Sequence, residues 1–193
     1  RVVSGDENDA RGVLFSFFQA MQWPLLPRFL DIYYHLSVMK GFADAGGYVT
    51  TAFWEYAPSG RPHLYPPLLH VLMLMLHQCG LEPIAVGRFV DCVSYPLLLF
   101  FVHRAALDFY TPRIAFFVLL MFSSIETLAL ASVTLSAFNL AFVLGLLMFL
   151  CVRRKKFTAA ALALALCFYT HSLAGGLMTL SLVLYALLSG ESV

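Results

Sequence analysis

Asp31 and His35 stand four residues apart in "RFLDIYYHLSVMKGF", a spacing that puts a carboxylate and an imidazole on one face of a helix. A carboxylate so placed can bind a hard divalent cation or take a proton from an attacking group, and an imidazole one turn on can share the task. Both residues also have plainer uses: Asp is a favoured helix N-cap, and His35 can simply hydrogen-bond the Asp31 carboxylate. A second polar island, "SGRPHLYPPLLH" at 59–70, supplies Arg61, His63 and Tyr65, a cation, an imidazole and a phenol suited to phosphate and sugar hydroxyl groups. Glu126 in "FSSIETLALAS" offers a second carboxylate, and His171 in "YTHSLAGGL" an imidazole between apolar runs. Arg88 and Asp91, three residues apart inside such a run, can pair with each other, and Arg88 is equally suited to a phosphate.

The elements that must carry these groups are those of a membrane protein. The chain has 193 residues, 61% of them hydrophobic and only 12% charged, with 18 Phe and a mean hydropathy of +0.82; soluble domains run near 45–50% apolar. A formal net charge of +1, with no concentrated basic face, argues against a nucleic-acid partner. Cys79, Cys92, Cys151 and Cys167 form no metal-ligand spacing and read as packing residues. The opening "RVVSGDENDARG" is charged and lacks the apolar core of a signal peptide.

A crossing of about 30 Å of hydrocarbon takes roughly 20 helical residues. Runs near 84–102, 114–131, 133–152 and 157–188 approach or exceed that length, and the last is long enough for two helices turning near "HSLAGG". The expected fold is therefore all-α, a polytopic transmembrane bundle of about five spans over 83–193. A long outer loop at 27–82 carries short surface helices, and an N-terminal segment at 1–26 is the possible end of a first membrane helix. The 66–79 stretch, about 21 Å of helix starting at a Pro pair, is taken to lie along the membrane surface. Arg104, Arg113 and "RRKK" at 153–156 then share the cytoplasmic side by the positive-inside rule, and Asp31, His35, Glu55, His63, Glu126 and His171 share the other.

The stretch "LDIYYHL", followed by "GFADAGGYVTTAFWEYAPSGRPHLYPPLLH", resembles the first outer loop of GT-C superfamily membrane glycosyltransferases, most of all the oligosaccharyltransferase catalytic subunits of the AglB type. "YPPLLH" is also similar to a segment of the protein O-mannosyltransferase and ArnT-like branch, and "YTHSLAGGL" to a Thr-His element near the outer end of a later helix. The resemblance covers roughly residues 28–188. It implies an integral membrane, multi-pass enzyme that moves a sugar or oligosaccharide from a polyprenyl-phosphate or polyprenyl-diphosphate donor to an acceptor protein or glycolipid. Its active site would face the extracytoplasmic side of the plasma membrane or the ER lumen. It makes Asp31 the catalytic Asp of the first outer loop, which binds metal and orients the acceptor or, without metal, acts as general base, with His35 beside it, and makes Asp31 with Glu126 the ligands of Mg or Mn. Arg61, His63, Tyr65, Arg88 and His171 become candidate substrate contacts. The loop around Glu126 departs from the family in holding one acid and no Asp-x-Asp. The competing expectations are a non-catalytic membrane subunit and a lipid-linked-sugar transporter or flippase.

Overall fold

The structure, a computed structural model, describes residues 30–55, 58–124 and 137–189. The 1–26 segment and Glu126 fall outside these residues, as does the side chain of Asp31. Seven helices are described: α1 (Leu30–Asp44), α2 (Leu68–Gln78), α3 (Pro83–Phe109), α4 (Pro112–Ser124), α5 (Ala137–Arg153), α6 (Phe157–Thr170) and α7 (Ser172–Ser189). Two short antiparallel strands, β1 (Thr51–Ala52) and β2 (Arg61–Pro62), pair Thr51 with Pro62 and Ala52 with Arg61 between α1 and α2. The architecture is all-α, as expected.

The helix ends follow local chemistry. Prolines open three helices: Pro67 caps α2, and Pro83 and Pro112 begin α3 and α4, positions where the missing N–H costs nothing. The 157–188 run does break into two helices, at His171, whose extended backbone (φ −157°, ψ 107°) ends α6. The imidazole Nδ1 then accepts the Ala174 N–H at 3.3 Å and so caps α7. Between α5 and α6 the chain turns on Lys155, at φ +56°. The Lys155 and Lys156 N–H groups bond back to Val152 and Cys151 O, at 2.9 Å each. This is the double closure usually made with glycine.

α5 is central. Its Met148 and Ala141 pack with Ala163 and Cys167 of α6 and Met178 of α7, its Val143 joins Tyr95, Leu98 and Leu119 of α3 and α4, and its first residue, Ala137, meets α1 and α2. The Cys167 Sγ donates to Ala141 O at 3.1 Å, which bears out the packing role for that cysteine; Cys79, by contrast, is exposed.

The polar islands and the basic loops occupy opposite ends. α1 closes on α3 at Gly87, against Ile32 and Leu36. Twenty-one residues on, about 30 Å of helix, Asp108 receives Arg104 of α3 at 3.7 Å and Arg154 of the α5–α6 turn at 3.3 Å. Tyr185, near the end of α7, reaches the same end, its ring against Phe109 and Phe149.

Among the described residues two helices, Pro83–Phe109 and Ser172–Ser189, are long and apolar enough to cross a membrane, whereas the apolar helices α4, α5 and α6 have 13, 17 and 14 residues. The expectation of about five spans thus meets two helices of spanning length. Large apolar side chains face outward all round, including Phe117 (61% exposed), Met121 (68%) and Leu187 (74%), a surface that water would disfavour.

Candidate functional site

At the polar end, α1 presents Tyr34 and His35 on successive positions, and the chain after β2 presents His63 and Tyr65 before α2 brings in His70. Burial of Ile32, Val38, Met39 and Phe42 fixes the inward face of α1, and Leu69, Met73 and Leu74 fix that of α2. His35 and His70 are carried inward with them, at 4% and 0% exposed. Their rings meet: His35 Nδ1 lies 2.8 Å from His70 Nε2. His63 stacks edge-on to His70 at 5.6 Å between centroids, and Tyr34, Tyr65 and Phe42 close the box around them. Trp54 covers its far side, against Phe42 and His63.

Electrostatics inside the box favour the neutral forms of His70 and His63. Burial first, then the neighbouring His35 and His63, pushes the His70 imidazole down to about 3. Burial also lowers His63 and raises the Tyr34 phenol, in the second case with help from the Glu55 carboxylate. Glu55 is ion-paired with Arg61 across the hairpin. The His70 Nδ1 and His63 Nε2 are buried with no hydrogen-bond partner among the described residues. An unmet acceptor is tolerated better than an unmet N–H, so the favoured tautomer of His70 donates from Nε2 to His35 and leaves Nδ1 bare. His35, accepting at Nδ1, then carries its proton on Nε2, as a donor.

Beside the box, Tyr34, Arg61, His63 and Tyr65 line an open cleft of about 250 Å³. On the other flank of α2, Leu69, Leu72, Met75 and Leu76 face Phe89, Val93 and Leu97 of α3 and Val143 of α5 across an apolar groove of about 400 Å³. The cleft residues Tyr34, His63 and Tyr65 thus reach α2 at His70, and the groove runs along the same helix.

The sequence-predicted residues divide accordingly. His35, Arg61, His63 and Tyr65 come together, and Asp31 lies on α1 one turn ahead of His35. His171 is near the same end but packs on Phe138, outside the box. Arg88 and Asp91 are half-buried in the first third of α3, just past Gly87. Sequence reasoning did not select His70 or Tyr34. His70 carried a signal: it is the one polar residue in "LLHVLMLML", and an isolated polar group on a buried face needs a partner.

Asp31 and Glu126 were the expected Mg or Mn ligands, and neither side chain is among those described. No group of three or more His, Cys, Asp or Glu is placed to hold a metal ion among the described residues, and the imidazoles and phenols of the box are poor donors for such hard cations, which take oxygen from carboxylates. Comparison with protein-family models, with curated proteins and with solved structures finds no match.

Proposed function

We propose that the chain is the membrane-embedded part of a GT-C-type glycosyltransferase. It moves a sugar or oligosaccharide from a polyprenyl-phosphate or polyprenyl-diphosphate donor to an acceptor protein or glycolipid at the extracytoplasmic face, with the bundle crossing the membrane several times. The observation that carries this reading is the arrangement around α2. The residues of a polar, cation-bearing cleft pack on His70 of α2, and an apolar groove runs along Leu69, Leu72 and Leu76 of the same short helix; an amphiphile with a phosphorylated head and a prenyl tail has the matching chemistry.

In this scheme Arg61 and His63 hold the carrier phosphate, Tyr65 and Tyr34 offer ring faces and hydroxyls to the sugar, and Arg88 and His171 are outlying contacts. The bond from the anomeric carbon to the phosphate oxygen breaks, and its electron pair leaves on the phosphate, where Arg61 offsets the charge. The acceptor heteroatom bonds to the anomeric carbon and its proton passes to Asp31. His35, four residues on from Asp31 along α1 and held by His70 at 2.8 Å, assists it. No step is routed through a metal.

The test is transfer by the protein reconstituted in liposomes. Transfer from a polyprenyl-phosphate sugar that is lost in Asp31→Asn supports the proposal. Efficient transfer from a nucleotide sugar without lipid overturns it, and donor binding without transfer by the wild type makes the chain a non-catalytic subunit or a carrier of lipid-linked sugar.

A further inference from the structure

The opposite end of the bundle holds a second built feature, which does not depend on the glycosyltransferase reading. Asp108, at the end of α3, is the meeting point of three arginines from two segments. Arg104 and Arg154 reach its carboxylate at 3.7 and 3.3 Å, and the Arg153 Nη2 donates to its backbone carbonyl at 3.2 Å while its guanidinium lies 5.1 Å from the Phe109 ring centroid. The carboxylate draws these long side chains to one spot and offsets a single charge. Arg113, Lys155 and Lys156 stand exposed beside them, with no acidic partner among the described residues.

Two further observations indicate what this surplus faces. Lys155 holds a left-handed backbone (φ +56°) at the position where glycine would close the turn without strain. A glycine there would ease the turn and remove a cation. Directly beside the charges the surface becomes apolar: Ile114 follows Arg113 and Phe157 follows Lys156, 46% and 49% exposed. A ring of cations above an outward apolar band matches the junction of headgroup and acyl layers, and an arginine fork fits phosphate oxygens.

We propose that Arg104, Arg113, Arg153, Arg154, Lys155 and Lys156 form a binding site for the phosphate of an anionic phospholipid, with Asp108 as the organiser that holds its arginines in place. Soluble phosphate esters share the headgroup chemistry but leave the apolar band uncovered, so the lipid is the ligand.

The experiment is native mass spectrometry of the full chain extracted from nanodiscs of phosphatidylglycerol and phosphatidylcholine in equal amounts. The wild type should retain phosphatidylglycerol preferentially. Each neutralised cation (Lys155→Gln, Lys156→Gln, Arg113→Gln) should lower that preference by about fivefold, as one charge near an anionic surface is worth about 1 kcal/mol. Lys155→Gly should lower it equally while folding at least as well, so a loss of lipid there is not a loss of fold. Lys40→Gln, at the polar end, should change nothing. Equal retention of the two lipids by the wild type, or a preference untouched by all three neutralisations, overturns the proposal. So does displacement of the bound lipid by millimolar glycerol 1-phosphate, which would make the site one for soluble phosphate esters.

Discussion

His35 Nδ1 and His70 Nε2 lie 2.8 Å apart inside the polar end, on two helices and 35 residues distant in the chain. A nitrogen pair this close shares one proton; a second would set two N–H groups head to head. The pair thus leaves His70 no room for a second proton on Nε2, and the burial of His70 makes protonation costly there.

That cost gives a pH dependence of stability. In the unfolded chain the His70 imidazole takes a proton near its ordinary 6.5, and in the native state only near 3. Between those values the unfolded state binds more protons, so stability is full above about pH 6.5 and falls as pH drops toward 3. The loss amounts to a few kcal/mol at its limit, since each tenfold difference in proton affinity between the two states is worth about 1.4 kcal/mol. Thermal unfolding in detergent at pH 7.5, 6, 5 and 4 should show this slope, and His70→Phe should flatten it. An equal slope in both proteins would place the acid sensitivity elsewhere.

A close approach on α1 offers a test of packing. A Cβ on Gly41 would fall within the indole of Trp54, a rigid ring whose partners Phe42 and His63 leave it little room to retreat. Gly41→Ala should therefore destabilise by about 1–3 kcal/mol, as overpacking does, and it should quench or shift Trp54 fluorescence. Gly145→Ala meets the flexible end of Met178 instead, and should cost less. The reverse order in unfolding temperature would contradict the Trp54 placement.

The helical frame was legible because it rests on local signals. Prolines mark the starts of α2, α3 and α4, and the expected turn near "HSLAGG" falls at His171. Other features could not be read, for physical reasons. The Lys155 turn carries no glycine to announce it. His35 and His70 meet through tertiary packing, which a helical period does not report. Span number is read from the length of an apolar run, and helix length is a separate quantity: among the described residues two helices reach spanning length, while α4, α5 and α6 have 13, 17 and 14 residues.

The separation of the two ends along α3 gives a topology test with built-in probes. Cys79, exposed at the end of α2, belongs to the polar end, and Lys155 to the basic one. In sealed cells or oriented vesicles, an impermeant thiol reagent applied outside should label a variant retaining only Cys79 and spare a cysteine-free background carrying Lys155→Cys, until detergent opens the membrane. Labelling of both from one side would refute the assignment of the two ends to opposite faces.

The groove beside α2 supplies the sharpest test of the donor. Leu72 is 39% exposed and Met75 57%, and both line the groove opposite Phe89 and Val93 of α3. A prenyl tail lodged there would bury methylene groups at about 0.8 kcal/mol each. The indole of Leu72→Trp would occupy the volume of several. If the groove holds the tail, Leu72→Trp should raise KM for a long polyprenyl-phosphate donor by tenfold or more. It should leave KM unchanged for a short-chain analogue whose tail ends before the groove, and leave kcat unchanged for both. Arg61→Gln, at the cleft, should impair both donors alike, because the proposed scheme gives Arg61 the phosphate that they share. A Leu72→Trp variant that loses both donors equally would assign the groove to packing between α2 and α3, and a prenyl tail would have to run elsewhere on the bundle.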